Sequence, residues 1–332
     1  MTGRGPVTHR VVFIVRLRAG DGGLGLGEAA PLEWAGTESV EECEAALAKL
    51  QERVSVDQDP GDSLQGCPAA AAGWDQAVRD LEARCAGMPL ARTMFEGASG
   101  DVAVNALVAD AAGATVAVEA GFRTLKVKVG SDVARDAARL KAIRMAVGES
   151  IDLRIDPNGA WFSATRAISA LEALAPVGLE YCEQPVLAGE IGTTARAMAE
   201  VRERTGIAIA PDESVTGVDE ARILLDAGAA DVLLLKPMRL GGLGAALQIG
   251  ELAREADVDV VVTGFLGSVV ERAAALHLAA ALDGAVPPGR RRAHGLGAGS
   301  WLAEDVAEGP PIVRGRIVVP SLAGHGVRLV ED

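Results

Sequence analysis

The stretch Leu125-Lys126-Val127-Lys128-Val129 alternates apolar residues with two lysines, which is the pattern of a β-strand. Because side chains on a strand alternate between its two faces, Lys126 and Lys128 project in the same direction. Two neighbouring ammonium groups lower each other's pKa, and burial lowers it further. A lysine whose pKa approaches neutrality can act as a general base. The alternative is a half-exposed edge strand whose two lysines are solvated.

Lysine is scarce in this chain, since only five of the 32 basic residues are lysines and the others are arginines. Arginine keeps its proton in proteins, whereas lysine can release it. Each lysine is therefore a candidate for chemistry that needs a titratable amine. The five are Lys49, Lys126, Lys128, Lys141 and Lys236.

Length, charge and composition restrict the class of protein. A chain of 332 residues, 49% of them apolar, can bury a large core and form two domains or a barrel with an addition. The net charge of −14 argues against nucleic acid or an anionic membrane as partner. No apolar run reaches the length of a membrane span, and Met1–Arg10 does not resemble a signal peptide, so we expect a cytoplasmic protein. Whether it is a monomer or a homo-oligomer stays open.

The first 95 or so residues have the pattern of a small α+β unit. Val7–Arg18 alternates like a strand, and Gly20–Gly27 has the composition of a hairpin or mobile loop. A capping box at Ser39 precedes an apolar face of helical period. A second helix is predicted from Pro68 to a stop at Gly87.

After Gly97, short apolar strands alternate with amphipathic helices, which is typical of a parallel sheet. Seven such units and a short eighth strand favour a closed barrel, so the predicted class is α/β: a (β/α)7β TIM-like barrel with an α+β capping domain. We assign residues 1–96 to the cap, 97–309 to the barrel and 310–332 to a tail that returns to the cap. The predicted strands are Val102–Val108, Thr124–Val129, Ile151–Asp156, Leu179–Cys182, Ile207–Ala210, Asp231–Leu235, Val258–Val262 and a short one near His294–Gly297.

Charged residues stand where successive predicted strands end, each about one βα unit after the last. They are Lys126 and Lys128, then Asp156, Glu183 and Asp212, and finally Lys236. The carboxyl ends of parallel strands meet at one mouth of a barrel, so we expect these groups to form a ring. Three converging carboxylates require a cation, and oxygen ligands suit Mg²⁺, with Mn²⁺ as a substitute. Taken singly, each acid could instead be a helix N-cap or a surface residue.

A metal flanked by lysines favours one kind of reaction. The metal and Lys126 would hold a substrate carboxylate while a neutral lysine removes the proton on the carbon alpha to it. Negative charge then develops on the carboxylate oxygens as an enediolate, where a dication stabilises it most. Lys128 and Lys236 would face opposite sides of that carbon.

The Lys-x-Lys strand, the acid triad on the next three strands and the sixth-strand lysine together resemble the enolase superfamily, muconate-lactonising subgroup. The resemblance covers nearly the whole chain, and Gly25–Leu32 and Cys67–Trp74 match the two substrate-covering loops of that family's capping domain. Within the subgroup, Lys236-Pro237 followed by Gly241-Gly242, and Gly-x-Gly near the eighth strand, are similar to the o-succinylbenzoate synthases of menaquinone biosynthesis.

That resemblance implies dehydration of 2-succinyl-6-hydroxy-2,4-cyclohexadiene-1-carboxylate, a small dicarboxylate. Lys128 would take the alpha proton and then help hydroxide to leave from the same face, and Lys236 would hold the dienediolate. An N-succinylamino acid racemase or a dipeptide epimerase of the same superfamily is the alternative. Dipeptide epimerases carry an Asp-x-Asp motif at the eighth strand, and Ala293–Trp301 contains no acid. Two alternative hypotheses lie outside this mechanism. The chain could be a lyase in which Lys236 forms a Schiff base, or a binding barrel without catalytic activity.

Substrate contacts are expected around the same mouth. Gly264, Gly267 and Ser268 follow the seventh strand and could present backbone N–H groups to a second carboxylate. Asn158, in the loop after Asp156, is a further candidate. The run from Gly241 to Gly244 is either a tight turn at a helix start or another source of N–H groups.

Overall fold

The computed structural model describes residues 8–20, 22–55, 61–297 and 302–329. The first unit contains an antiparallel hairpin and helices. The capping box predicted at Ser39 is present: the Ser39 side chain accepts from Glu42 N, and the Glu42 side chain accepts from Ser39 N. Its elements are β1 (Phe13–Arg18), β2 (Leu24–Ala29), α1 (Val40–Val54), α2 (Pro68–Cys85) and α3 (Leu90–Met94).

Glycines on β2 allow α2 to lie directly against the strand. A Cβ atom added at Gly25 would lie 2.1 Å from the Ala77 carbonyl oxygen, and one at Gly27 would lie 2.1 Å from the Gly73 carbonyl oxygen. Real side chains cannot approach backbone that closely. Glycine at positions 25 and 27 of β2 is therefore what allows the backbones of β2 and α2 to come so close.

Short strands and surrounding helices alternate through the rest of the chain, as the sequence predicts. The strands are β3 (Asp101–Ala103), β4 (Ala106–Val108), β5 (Thr124–Lys128), β6 (Asp152–Asp156), β7 (Tyr181–Glu183), β8 (Ile209–Ala210), β9 (Val232–Leu235) and β10 (Asp259–Val262). The helices are α4 (Ala111–Glu119), α5 (Val133–Val147), α6 (Ala164–Leu174), α7 (Ile191–Thr205), α8 (Val218–Asp226), α9 (Pro237–Leu240), α10 (Leu243–Glu255) and α11 (Val269–Gly284).

Backbone hydrogen bonds close these strands into a barrel. Strands β4 to β8 form one parallel sheet, and β9 pairs with β10. Asp231 N donates to Ile209 O at 2.9 Å, which joins the two groups. His294 and Gly295 act as the short eighth strand, since Gly295 N donates to Val262 O at 2.9 Å and Asn105 N donates to His294 O at 3.0 Å. The predicted (β/α)7β barrel is confirmed.

The single strand predicted over Val102–Val108 is wrong, because the chain changes partners in its middle. Val104 N donates to Gly315 O at 2.9 Å, whereas Asn105 N donates to His294 O in the barrel. The second half, β4, pairs with β5 of the barrel, and the residues just before it bond to the eighth strand, since His294 N also donates to Ala103 O at 2.8 Å. The first half, β3, lies in a separate antiparallel sheet with β11 (Ile312–Val313) and β12 (Arg316–Val318).

The tail returns to the first unit beyond that sheet. Val327 and Leu329 are buried against Leu26 of β2. His325 Nε2 contacts Leu26 O at 3.1 Å, and Arg84 of α2 donates to Val327 O at 3.2 Å. The domain boundaries at residues 96 and 309 stay a prediction, and residues 330–332 lie outside the described part of the chain.

The barrel interior is filled below its carboxyl-end mouth. One inner layer, called the apolar layer below, comprises Tyr181, Ala210, Leu234 and Val261, and Val232 packs against it from one level beneath Leu234. The Arg154 guanidinium lies beside it, 4.6 Å from the centre of the Tyr181 ring, and is paired with Glu180 at 2.6 Å. The barrel is therefore closed beneath the mouth, and a ligand can enter only from above. Among the described helices, none is long and apolar enough to cross a membrane.

Candidate active site

The predicted site residues lie one layer above the apolar layer, at the mouth. Inward-facing residues on a strand recur every second position, so the layer above contains the residues two places further along each strand. Glu183 follows Tyr181 in this way, Asp212 follows Ala210, and Lys236 follows Leu234. Three acids of this layer are nearly inaccessible to solvent: Asp156 is 1% exposed, Glu183 2% and Asp212 3%.

The two lysines of β5 contact acids of the neighbouring strands. Lys128 is paired in register with Asp156 on β6. Its Nζ donates to Asp156 Oδ2 at 2.5 Å. Lys126 Nζ lies 2.8 Å from the same oxygen and donates to Glu183 Oε1 at 2.6 Å and Oε2 at 2.5 Å. The structure therefore brings Lys126, Lys128, Asp156 and Glu183 together.

Lys236 approaches from the other side of the ring. Its Nζ donates to Asp212 Oδ2 at 2.6 Å. The second oxygen of Asp212, Oδ1, is buried and has no hydrogen-bond partner within the described residues. A buried carboxylate oxygen without a partner is costly, so this atom marks a place that requires a cation or a donor.

Asn158 lies beside Lys128 in the loop that follows β6. Its backbone N–H donates to Asp156 Oδ1 at 2.8 Å, and its side-chain oxygen accepts from Lys128 Nζ at 2.6 Å. Its amide nitrogen donates to Glu213 Oε1 at 3.0 Å. The left-handed backbone at Asn158, with φ of 47°, makes this turn possible. The site thus includes Asn158, and its role in substrate binding stays a prediction.

Sequence reasoning missed Gln184, which positions the Asp212 loop. Its side-chain oxygen accepts from Asp212 N at 2.9 Å and Ser214 N at 3.3 Å, and its amide donates to Ser214 Oγ at 2.7 Å. Gln184 is buried and has a positive φ of 38°. The one available signal was its position directly after Glu183.

The predicted lowering of the lysine pKa is wrong for Lys126. Burial lowers the pKa of Lys126, but the charges of Asp156, Glu183 and Asp212 outweigh burial and raise it well above its usual value. Burial also lowers the pKa of Lys236, and Asp212 and Glu213 raise it above the ordinary value in the same way. The expectation considered the neighbouring cation and burial, and left out the acids of other strands that contact the amines.

The acids respond unequally to this environment. Burial raises the pKa of Asp156, but Lys126 and Lys128 outweigh burial and hold it well below the usual range. Burial and the charge of Asp156 raise the pKa of Glu183 well above its ordinary value. The carboxylates therefore repel one another, and the group as a whole favours added positive charge.

The donor set fits an oxygen-bound divalent cation. Among the described residues, no three acidic, histidine or cysteine side chains surround a common point as they stand, because the Lys126 ammonium lies between Asp156 and Glu183. All three acids nevertheless face one mouth with oxygen donors only, and Asp212 Oδ1 is unpaired. This chemistry suits Mg²⁺.

The loop after the seventh strand is fastened to the first unit. Ser268 N donates to Glu28 Oε1 at 2.8 Å, and the Ser268 hydroxyl donates to Glu28 Oε2. Gly264 N donates to Gly295 O at 3.1 Å. A Cβ atom at Gly267 would lie 2.7 Å from Glu28 Oε1. The N–H groups of Gly264 and Ser268 are therefore already used within the chain, and substrate contacts by other atoms of Gly264, Gly267 and Ser268 stay predictions.

The N–H groups after Gly241-Gly242 are already used, so their proposed role toward a second carboxylate is wrong. Asp75 of α2 accepts from Leu243 N at 2.6 Å and from Gly244 N at 3.3 Å. The alternative of a tight turn at a helix start is correct, since α10 begins at Leu243 and Gly242 has a φ of 136°.

The two segments expected to be covering loops are largely regular structure. Most of Gly25–Leu32 belongs to strand β2, and Cys67–Trp74 is the first half of α2 with Cys67 as its N-cap. Both segments still pack over the barrel. Ala30 and neighbouring alanines of α2 form one buried cluster with Met238 and Phe265, which follow the sixth and seventh strands.

Comparison with known proteins agrees with this geometry. Residues 108–332 match the family model described as Enolase C-terminal domain-like. Over 271 residues the chain is 36% identical to an o-succinylbenzoate synthase of Thermobifida fusca, covering 79% of this chain and 74% of that one. Over 283 residues it is 27% identical to an N-succinyl-L-Arg/Lys racemase of Bacillus cereus, covering 80% and 76%.

A solved structure with the same fold is a dipeptide epimerase of Methylococcus capsulatus complexed with Mg ion. It has a TM-score of 0.79 and 30% sequence identity, and the match covers 95% of this chain and 93% of that one. Relatives that catalyse three different reactions are therefore of comparable similarity. They agree on the family and leave the reaction open.

Proposed function

Since the chain belongs to the enolase superfamily, we propose that it is a Mg²⁺-dependent o-succinylbenzoate synthase, a hydro-lyase of menaquinone biosynthesis. The observation that carries the proposal is the ring at the mouth: three buried acids from consecutive strands, with Lys126 and Lys128 on one side and Lys236 on the other. Its substrate would be 2-succinyl-6-hydroxy-2,4-cyclohexadiene-1-carboxylate.

Asp156, Glu183 and Asp212 would hold the metal. When bound, Mg²⁺ would supply positive charge that stabilises the substrate carboxylate as it gains charge. The unpaired Asp212 Oδ1 and the complex of a similar epimerase with Mg ion support this assignment.

Lys128 is the proposed base. Its side chain is 40% exposed, the most accessible of the three lysines, and is held by Asp156 and Asn158. Its amine takes the proton on the carbon alpha to the carboxylate, and the electron pair of that C–H bond moves toward the carboxylate. The resulting ammonium then gives the proton to the departing hydroxyl as the C–O bond breaks, so that one water leaves.

Lys236 and Lys126 act by charge in this scheme. Lys236 Nζ lies on the Asp212 side of the ring. In the proposed scheme it would face the carbon from the side opposite Lys128. Each ammonium stabilises the negative charge that appears after proton removal.

An N-succinylamino acid racemase is the second candidate. Lysines on strands at both sides of the acid triad are what a two-base racemisation needs, and the Bacillus cereus racemase is similar over most of its length. A dipeptide epimerase is less favoured, because Ala293–Trp301 contains no acid to bind a substrate amine. Residues 298–301 of that segment lie outside the described part of the chain.

The test is a spectrophotometric assay with the cyclohexadiene acid, run beside N-succinylamino acids in deuterium oxide. We expect dehydration that EDTA abolishes and added Mg²⁺ restores. Lys128→Arg keeps the charge but cannot transfer the proton, so turnover should fall by roughly a thousandfold. Lys141→Arg is the matched control, since Lys141 is exposed on α5.

Three results would contradict the proposal. They are turnover that persists without metal, a Lys128→Arg variant as active as the parent, or alpha-proton exchange of N-succinylamino acids without any dehydration. The last result would favour the racemase. Inactivation by borohydride in the presence of substrate would instead support a Schiff base on Lys236.

A further inference from the structure

Thr263 belongs to the same layer as the acids and Lys236. Val261 of β10 packs in the apolar layer with Tyr181 and Leu234. Thr263 lies two residues beyond Val261 and so faces inward one layer higher, as Lys236 does two residues beyond Leu234. Thr263 N donates to Leu235 O at 2.9 Å, which places Thr263 beside Lys236 across the strand pair.

The eighth strand leaves room for the Thr263 hydroxyl. A Cβ atom added at Gly295 would lie 2.9 Å from Thr263 Oγ1. Gly295 therefore supplies space that other residues would fill. Between Lys236 and the eighth strand, the mouth thus contains the Thr263 hydroxyl. The neighbouring residue of the eighth strand, Gly295, has no side chain that would cover it.

The Thr263 hydroxyl makes only a weak hydrogen bond. Thr263 Oγ1 lies 3.5 Å from Gly264 O, at the limit of a hydrogen bond, and within the described residues the hydroxyl makes no other hydrogen bond. The residue is partly exposed. A ligand in the mouth can therefore receive a hydrogen bond from this group at little cost.

We propose that Thr263 is a specificity-determining residue whose hydroxyl donates a hydrogen bond to the acyl carbonyl oxygen of the substrate. The inference rests on the proposed function. In the cyclohexadiene acid, and equally in an N-succinylamino acid, the acyl carbonyl carbon is two bonds from the carbon that loses its proton. In the proposed binding mode, the reacting carboxylate of the substrate is held on the side of Asp156, Glu183 and Asp212. The acyl carbonyl oxygen then points toward the seventh and eighth strands, which follow Lys236.

The test compares two ligands that differ at this oxygen. They are the product o-succinylbenzoate and its methylene analogue 2-(3-carboxypropyl)benzoate, each titrated calorimetrically into the Mg²⁺-loaded protein. The wild type should bind the carbonyl compound about tenfold more tightly than the analogue. Thr263→Val should lose that preference and reduce kcat/KM by a similar factor, and Thr263→Ser should restore both.

The outcomes separate this inference from the proposed function. A wild type that dehydrates the acid and prefers the carbonyl ligand, with Thr263→Val keeping the same preference, overturns the role of Thr263 alone. A wild type without a preference for the carbonyl also overturns it. A wild type that neither turns over the acid nor binds its product overturns the proposed function, and the inference falls with it.

Discussion

Replacing Glu271 with glutamine should make the protein less sensitive to alkaline pH. Glu271 stands in the first turn of α11 and is 2% exposed. Its Oε1 accepts from Phe265 N at 3.2 Å, and its Oε2 is buried without a partner in the described residues. Fully buried Glu28 lies alongside and accepts from Glu271 N at 3.2 Å. Burial first, and then the charge of Glu28, raises the pKa of Glu271 to about 8.

The sign and size of the effect follow from that pKa. The folded protein keeps a proton that the unfolded chain releases near its ordinary value of 4.5. Stability from this group is therefore complete below pH 4.5 and is lost as the pH rises to about 8. At about 1.4 kcal/mol for each tenfold change in proton concentration, the full loss is on the order of 5 kcal/mol. Glutamine does not titrate, so Glu271→Gln escapes this loss.

The assay is guanidinium unfolding of both proteins at pH values from 5 to 8.5. The quantity of interest is the change in unfolding free energy between these limits, because any constant cost of the glutamine amide then cancels. Glu119→Gln is the matched control, since Glu119 is exposed on α4. If wild type and Glu271→Gln lose the same free energy over this range, Glu271 is ionised in the folded protein and the reasoning is refuted.

Two further predictions concern the packing between elements: the contact of Gly27 on β2 with α2, and the buried His277 on α11. Gly27→Ala should reduce the unfolding free energy by about 1–3 kcal/mol, because its Cβ would meet the Gly73 carbonyl oxygen at 2.1 Å; Gly100→Ala, in open space, should change the melting temperature little. Burial lowers the pKa of His277 to about 4, so the protein should lose up to about 3 kcal/mol as the pH falls from 6.5 toward 4. In denaturant titrations, His277→Gln should reduce the fall in unfolding free energy between pH 6.5 and 4. An unchanged fall would show that burial does not lower the pKa of His277.

Local pattern was sufficient to predict the barrel and its ring of charges. Strand β5 was predicted within one residue of its observed end, because alternation around Lys126 and Lys128 is a local signal. Asp156, Glu183 and Asp212 could be placed at strand ends for the same reason. Parallel topology then brings them to one mouth.

Partners that are distant in sequence could not be predicted. The split between β3 and β4 depends on Gly315 and β12, which lie more than 200 residues further along the chain. Asp75 caps α10 from 168 residues away, and Glu28 holds Ser268 from 240 residues away. The raised pKa of Lys126 could not be predicted for the same reason, since it depends on which acids from other strands reach the amine.

The measurement that tests the central claim most directly is calorimetric titration of Mg²⁺ into the metal-free protein. The acid ring should bind one ion per chain, and Asp212→Asn should weaken that binding at least about tenfold because it removes a charged oxygen ligand. Asp219→Asn, an exposed acid seven residues further on, should bind as the parent does. Equal binding by the parent and Asp212→Asn, or no binding by either, would contradict the assignment of Asp156, Glu183 and Asp212 as the metal site.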